Sequence, residues 1–233
     1  MIKSFDDRRD QIILNTQEEM IEFASEHWIH SYQRAVQQKG RFAVALSGGS
    51  TPKAIYQKLA SAKIDGSKIF LFWSDERAVP EDHPDSNYHM AMTNGLKNLN
   101  IPPHQIFRMV AEKEIEKNAL DYEEKIHHYL NEDLFDLVML GVGEDGHTAS
   151  LFPDTKALLE ESRLVVANDT TKGKRMTLTF KCINESAHSV IYAMGKSKKE
   201  IVNKVLKAPI ISEYPASRVG THEHKALWVL SKS

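Results

Sequence analysis

The chain has 233 residues, 41% hydrophobic and 27% charged, with a formal charge of −2, so it can bury a core large enough to need no disulfide or metal staple. Cys182 is the only cysteine, which excludes an intrachain disulfide and suits a reducing compartment. No long basic block points to nucleic acid, no apolar run nears the ~20 residues of a membrane span, and no signal-peptide core follows Met1. The expectation is one domain over residues 1–233, cytoplasmic, monomeric or weakly homo-oligomeric.

Thr16 and Glu19 have the spacing of a capping box. Met20, Phe23, Ala24, Trp28, Tyr32, Ala35 and Val36 follow at helical steps, and Gly40 is placed to end the helix. Trp28 and Tyr32 read as core. Residues 42–46 are a short buried strand. It runs into Ser47-Gly48-Gly49-Ser50-Thr51-Pro52 and then a helix over 54–60, with Thr51 as its expected N-cap and Pro52 in its first turn. Residues 68–73 form a second strand, ending in the charged loop Ser74-Asp75-Glu76-Arg77. Pro80, His83 and Pro84 stiffen the next loop, and Asp85 or Ser86 caps a helix over 87–96. Residues 106–110 read as a short strand. Ile115, Ala119, Tyr122, Ile126 and Tyr129 mark a helix over 112–130, with His127 and His128 on its surface.

An apolar strand over 135–140 then empties into Gly141-Val142-Gly143-Glu144-Asp145-Gly146-His147. The three glycines let the backbone turn sharply. They also match the dinucleotide fingerprint, but Pro153 stands seven residues past Gly146 and breaks the helix that motif requires. Residues 155–160 suggest two helical turns, and 164–167 a strand. The basic turn 170–175 and the alternating strand 176–180 suggest a small antiparallel addition. A strand at 190–194, a helix at 197–207 and a strand at 226–230 complete the chain. Strands alternating with helices call for an α/β fold: an open, mostly parallel, Rossmann-like sheet with helices on both faces.

In such a sheet, ligands gather where the strands end. The loop Ser47, Gly48, Gly49, Ser50 and Thr51 offers backbone N–H groups and a helix N-terminus to an anion. It lacks the Gly-Lys-Ser/Thr of a nucleotide loop. Arg77, Arg175 and Lys198 add positive charge. His147 has the ordinary proton-transfer chemistry of imidazole near neutrality, and Asp145 and Asp75 are its candidate partners. The alternative for each loop is a plain turn with solvated charges. No Gly-x-Ser-x-Gly elbow is present. His222 and His224 lack the rest of a metal shell and read as a polar surface loop. The inventory suits a small phosphorylated substrate, with no metal and no cofactor.

These residues resemble a known family. Ser47-Gly48-Gly49-Ser50-Thr51-Pro52, Trp73-Ser74-Asp75-Glu76-Arg77 with Val79-Pro80, and the run from Gly141 through His147-Thr148-Ala149-Ser150-Leu151-Phe152-Pro153 look like the 6-phosphogluconolactonases. The likeness continues through Asp85-Ser86-Asn87, Arg175-Met176-Thr177-Leu178-Thr179, Gly195-x-x-Lys198 and Trp228-Val229-Leu230. The related glucosamine-6-phosphate deaminases carry an Asp-Glu-Tyr where this chain has Asp75-Glu76-Arg77, and a glutamate where it has Phe152. The run from Tyr214 to Val219 is similar to both.

The resemblance implies hydrolysis of 6-phospho-D-glucono-1,5-lactone to 6-phospho-D-gluconate, in the oxidative pentose phosphate pathway. His147 is then the base, with Asp145 or Asp75 orienting it or a substrate hydroxyl. Ser47, Gly48, Gly49, Ser50, Thr51, Arg175 and Lys198 hold the phosphate, with Arg77 as a further contributor. Glycine-loop N–H groups or Arg77 meet the oxyanion. Two other readings remain at this point: a deaminase-isomerase of an amino-sugar phosphate, and a phosphosugar-binding module without catalysis.

Overall fold

The computed structural model describes residues 1–131 and 133–233. Its elements are, in order, β1 (Lys3–Ser4), β2 (Arg9–Leu14), α1 (Gln17–Lys39), β3 (Phe42–Leu46), α2 (Ser50–Leu59), β4 (Ile69–Trp73), β5 (Asp75–Arg77), α3 (Asn87–Thr93), α4 (Ile115–Leu130), β6 (Leu137–Gly141), β7 (Val165–Thr170), β8 (Gly173–Leu178), α5 (Phe180–Glu185), β9 (Ser189–Ala193), α6 (Lys199–Lys207) and β10 (Ala226–Ser231).

Local chemistry accounts for the ends of α1. Thr16 Oγ1 accepts from the Glu19 N–H at 3.1 Å, and Glu19 reaches back to the Asn15 N–H at 2.8 Å. The box therefore closes one residue earlier than the usual N-cap N–H. Gly40 ends the helix at φ 71°, a left-handed conformation that glycine adopts without strain. Trp28 and Tyr32, one turn apart, meet Phe42 of β3 edge-on. This contact lays α1 on the sheet.

The main sheet has the strand order β1-β2-β10-β9-β6-β3-β4. Only β1 runs antiparallel to its neighbour; the other pairings are parallel. The alternation of side chains places helices on both faces. Phe42 and Trp73 lie on one face by register, against α1 and against Tyr88 of α3. Phe72 points the other way, onto Tyr122 of α4. The Tyr122 hydroxyl accepts from the Trp73 N–H at 2.8 Å and donates to the Phe107 carbonyl at 3.0 Å, tying that helix to the sheet. One continuous apolar cluster fills both layers.

A second, antiparallel sheet has the order β5-β8-β7. It contains the addition expected near residues 174–180, but it also takes in residues 75–77, expected as loop. Leu178 N–H donates to the Ser74 carbonyl at 2.8 Å, so the chain leaving β4 is captured at once by β8.

Other expectations need correction. Gly49, not Thr51, is the N-cap of α2, which starts at Ser50. The stretch 106–110 makes one bridge, Ile106 with Leu71, and no strand. Residues 156–159 form a single 3-10 turn. The strands β1 and β2 and the helix α5 were not expected. Arg9, Asp10 and Gln11 interrupt the apolar pattern of β2, yet Arg9 is buried: it pairs with Asp6 and donates to the Leu206 carbonyl at 3.0 Å. No helix among the described residues is long and apolar enough to cross a membrane.

Replacing Thr16 by Ala removes one cap hydrogen bond at a residue outside the lining of the cleft described below. It should lower unfolding free energy by about 1 kcal/mol, read by denaturant titration, with turnover unchanged.

Candidate active site

Strands β3, β4, β6 and β9 run parallel and end at one edge of the sheet. The loops that follow them enclose a cleft of about 330 Å³. Its walls include Ser47, Gly48, Gly49, Ser50 and Thr51 after β3, Asp75 and Arg77 of β5, His147 after β6, Arg175 of β8, and Lys198 after β9. Asp145 is the one expected site residue that does not line the cleft; it stands behind the imidazole, bonded to it.

The first wall is a glycine turn leading into a helix N-terminus. Gly49 sits at φ 102°, and the chain turns there directly into α2. The first N–H groups of that helix have no intrahelical acceptor and point to the turn. Gly48 packs so tightly on Asn87 that a Cβ would overlap the amide. Tyr56 braces the turn from below: its hydroxyl donates to the Ser47 carbonyl at 2.8 Å and accepts from the Ser47 N–H at 3.1 Å.

The second wall is built on Glu76, a buried carboxylate. It accepts from the N–H groups of Arg77, Asn87 and Tyr88 and from the Ser86 hydroxyl. Burial raises its pKa and those four bonds only partly offset the rise. Glu76 thus fixes the start of α3 against β5 and is a framework residue. Asn87 donates to the Asp75 carbonyl at 2.9 Å. Arg77 donates to the carbonyl of Asp85, which pins the proline-rich loop.

Arg77 and Arg175 stand directly opposite one another on β5 and β8. Like charges in that position repel. Burial and, after it, the Arg77 charge lower the pKa of Arg175. Neither guanidinium has a carboxylate ion-pair partner among the described residues. Two facing arginines beside a helix N-terminus make an electropositive pocket for an anion.

The third wall carries the imidazole. His147 Nδ1 bonds to Asp145 Oδ1, and the same oxygen accepts from the His147 N–H at 3.2 Å. Burial opposes ionisation of Asp145, but these bonds prevail and hold its carboxyl below the usual range. With Nδ1–H donated to a carboxylate, Nε2 is the unprotonated nitrogen of the neutral ring. The ring stacks on Phe152 at 4.0 Å between centroids. A Cβ on Gly143 would overlap both the imidazole and Asp145, so only glycine permits this approach. Ala149 follows at φ 47°, a strained conformation for alanine. It is held by its neighbour: Ser150 donates to Asp75 Oδ2 at 2.7 Å and to Thr177 Oγ1 at 3.1 Å. Asp75 therefore anchors the histidine loop through Ser150, and Asp145 is the carboxylate on the ring. No helix follows Gly146, as the dinucleotide reading would need.

Lys198 donates to the Val142 carbonyl at 3.0 Å, joining the loops after β6 and β9. Several lining residues were missed in the sequence: Asn87, Ser150, Phe152, Lys172 and Tyr192. The first three lie within the motifs quoted above. Lys172, in the basic turn, sits over the Phe152 ring at 5.4 Å. Tyr192 carried no signal, since it reads as one more strand residue. His222 lies away from the cleft and contacts Asp7 at 3.3 Å.

An open α/β fold with an anion cradle and a carboxylate-bound imidazole at one sheet edge defines an enzyme of small anionic metabolites. The chain belongs to the family described as glucosamine-6-phosphate isomerases/6-phosphogluconolactonase, whose model matches residues 15–228. It is 44% identical to a 6-phosphogluconolactonase from Chlamydia pneumoniae, over 98% of this chain and 90% of the relative. The crystal structure of 6-phosphogluconolactonase from Thermotoga maritima superposes with a TM-score of 0.84 at 30% identity, covering 95% of this chain and 99% of that one. The 6-phosphogluconolactonase from Trypanosoma cruzi gives 0.87 at 27% identity, over 99% and 96%.

Two substitutions separate framework from chemistry. Glu76→Gln leaves buried N–H groups facing an amide NH₂; it should destabilise the fold by about 2 kcal/mol in a denaturant titration. Gly143→Ala should displace the ring and cut kcat by roughly a hundredfold, with an unfolding midpoint close to the parent's.

Proposed function

We propose that this protein hydrolyses 6-phospho-D-glucono-1,5-lactone to 6-phospho-D-gluconate, as one domain over residues 1–233 working in the cytoplasm. The observation that carries the reading is the placement of His147. Its Nδ1 is committed to Asp145, and its ring lines the same cleft as the anion cradle of Ser47, Gly48, Gly49, Ser50 and Thr51. A lone buried thiol, Cys182, suits a reducing compartment.

The phosphate binds in the cradle, held by the N–H groups at the start of α2 and by Arg175 and Lys198, with Arg77 beside Arg175. This places the lactone ring toward His147. Nε2 takes a proton from water as the water oxygen attacks the lactone carbonyl carbon. The developing negative charge falls on the former carbonyl oxygen. Arg77 is the donor for it, since the 47–51 turn is taken up by the phosphate and the N–H groups of Gly143 and Gly146 are already spent on carbonyls of their own loop. The tetrahedral intermediate collapses with cleavage of the bond to the ring oxygen. The imidazolium returns its proton to that oxygen, and the new carboxylic acid ionises. Asp145 keeps the ring in one tautomer and stabilises the imidazolium; its lowered pKa keeps it charged at the pH where His147 works. Phe152 stacks on the imidazole at the position where a deaminase reading calls for a carboxylate. A lactone is a reactive ester, so a positioned base and fixed geometry suffice.

The direct test is a continuous assay on freshly made 6-phosphogluconolactone, corrected for spontaneous opening. Ammonia release from glucosamine 6-phosphate, or tight binding of 6-phosphogluconate without hydrolysis, would point to the other readings. His147→Ala should lower kcat by about 10²–10⁴ while 6-phosphogluconate affinity changes little. Parallel losses of affinity and turnover would count against the base assignment. Asp145→Asn keeps the shape but removes the charge that orients the ring. It should lower kcat at least ~tenfold with KM nearly unchanged. Measured kcat at or near the parent's would show that the imidazole needs no partner.

A further inference from the structure

Tyr192 lines the cleft, and the mechanism leaves its hydroxyl without a task. It lies on β9 directly opposite Gly141 of β6, and only 3% of it is exposed. Its hydroxyl has no hydrogen-bond partner among the described residues. A buried hydroxyl without a partner costs free energy, so such a group in a native protein calls for an acceptor supplied from elsewhere. Burial also drives the phenol pKa upward, so the group stays protonated and is a donor.

Three observations say where the acceptor comes from. Gly141 has no side chain, and even a methyl group there would meet nothing within 4 Å. The register puts the Gly141 side-chain direction on the same sheet face as the Tyr192 ring, so this hollow opens beside the phenol. The hollow is part of the cleft, bordered by Ser47, Gly48, Gly141 and Lys198. Finally, the Tyr192 hydroxyl is close enough to that of Tyr56 to contribute, after burial, to raising its pKa; and Tyr56 is the brace beneath the Ser47 turn. Tyr192 therefore reaches the cradle end of the cleft, next to the brace under the Ser47 turn.

We propose that Tyr192 is a substrate-binding residue whose hydroxyl turns into the hollow at Gly141 and donates to an oxygen of the bound phosphate. The inference rests on the phosphate end assigned above. It adds a neutral donor to a set otherwise made of cations and backbone N–H groups. A neutral donor at a buried position suits a charged acceptor: the bond is charge-assisted, and no protein partner has to be given up to form it.

The test is Tyr192→Phe, assayed on 6-phosphogluconolactone and on unphosphorylated glucono-1,5-lactone, with Arg175→Ala beside it. The substitution removes one oxygen and fills the same space, so the unfolding midpoint of the free enzyme should hold or rise. KM for the phosphorylated lactone should increase about tenfold, and 6-phosphogluconate should inhibit correspondingly less, with kcat within about twofold and the unphosphorylated lactone unaffected. If Arg175→Ala discriminates between the two lactones and Tyr192→Phe does not, the Tyr192 assignment falls and the phosphate end stands. If neither variant discriminates, both fall. A lower unfolding midpoint with unchanged KM would identify a hydroxyl that holds a structural water, and would likewise overturn the proposal.

Discussion

Parallel pairing is the constraint from which the cleft follows. Strands β3, β4, β6 and β9 are hydrogen-bonded in a common direction, so their C-terminal ends fall on one edge. Every chain segment leaving that edge must turn to reach its next element. The residues at those turns meet whether or not they are near in sequence. His147 and Ser47 are a hundred residues apart and line one cavity of about 330 Å³. The small antiparallel sheet adds what the parallel one cannot. It captures the chain at Asp75 and places Arg175 against Arg77, so that guanidinium groups overlook the edge.

The site also holds three unfavourable terms. Two arginines face each other, and a buried hydroxyl lacks an acceptor. The backbone at Ala149 is strained. Each is costly for stability alone. They fall around one cleft and nothing in the packing of the core requires them. A dianionic ligand bound as proposed would answer the first two at once. The strain at Ala149 is held by Ser150, which Asp75 and Thr177 grip. Here the carboxylate of Asp75 acts on the loop and not on the ring, a division of labour between two aspartates that spacing alone does not reveal.

Much of this was legible in the chain. The α/β architecture followed from apolar runs alternating with helical periods, and the expected site residues came together because strand ends converge. What could not be read has physical causes. The strand β2 is masked by Arg9 and Asp10, whose charges are met by Asp6 and the Leu206 carbonyl and by Lys225. Residues 75–77 look like a solvated charged loop because their strand character comes entirely from pairing with β8. Gly49 displaced Thr51 as the cap of α2 because the turn needs a positive φ, which side-chain capping preferences do not register. Tyr192 looked like core because it is a buried residue of a central strand; the missing side chain at Gly141 leaves open space beside it.

The central claim is one of orientation: phosphate at the 47–51 turn, lactone carbonyl at His147. A crystal structure of the protein with bound 6-phosphogluconate measures it directly. The account predicts phosphate oxygens on the first N–H groups of α2 and on Arg175 and Lys198, with the product carboxylate within about 3.2 Å of His147 Nε2. A phosphate seated beside His147, with the carboxylate in the glycine turn, would contradict it.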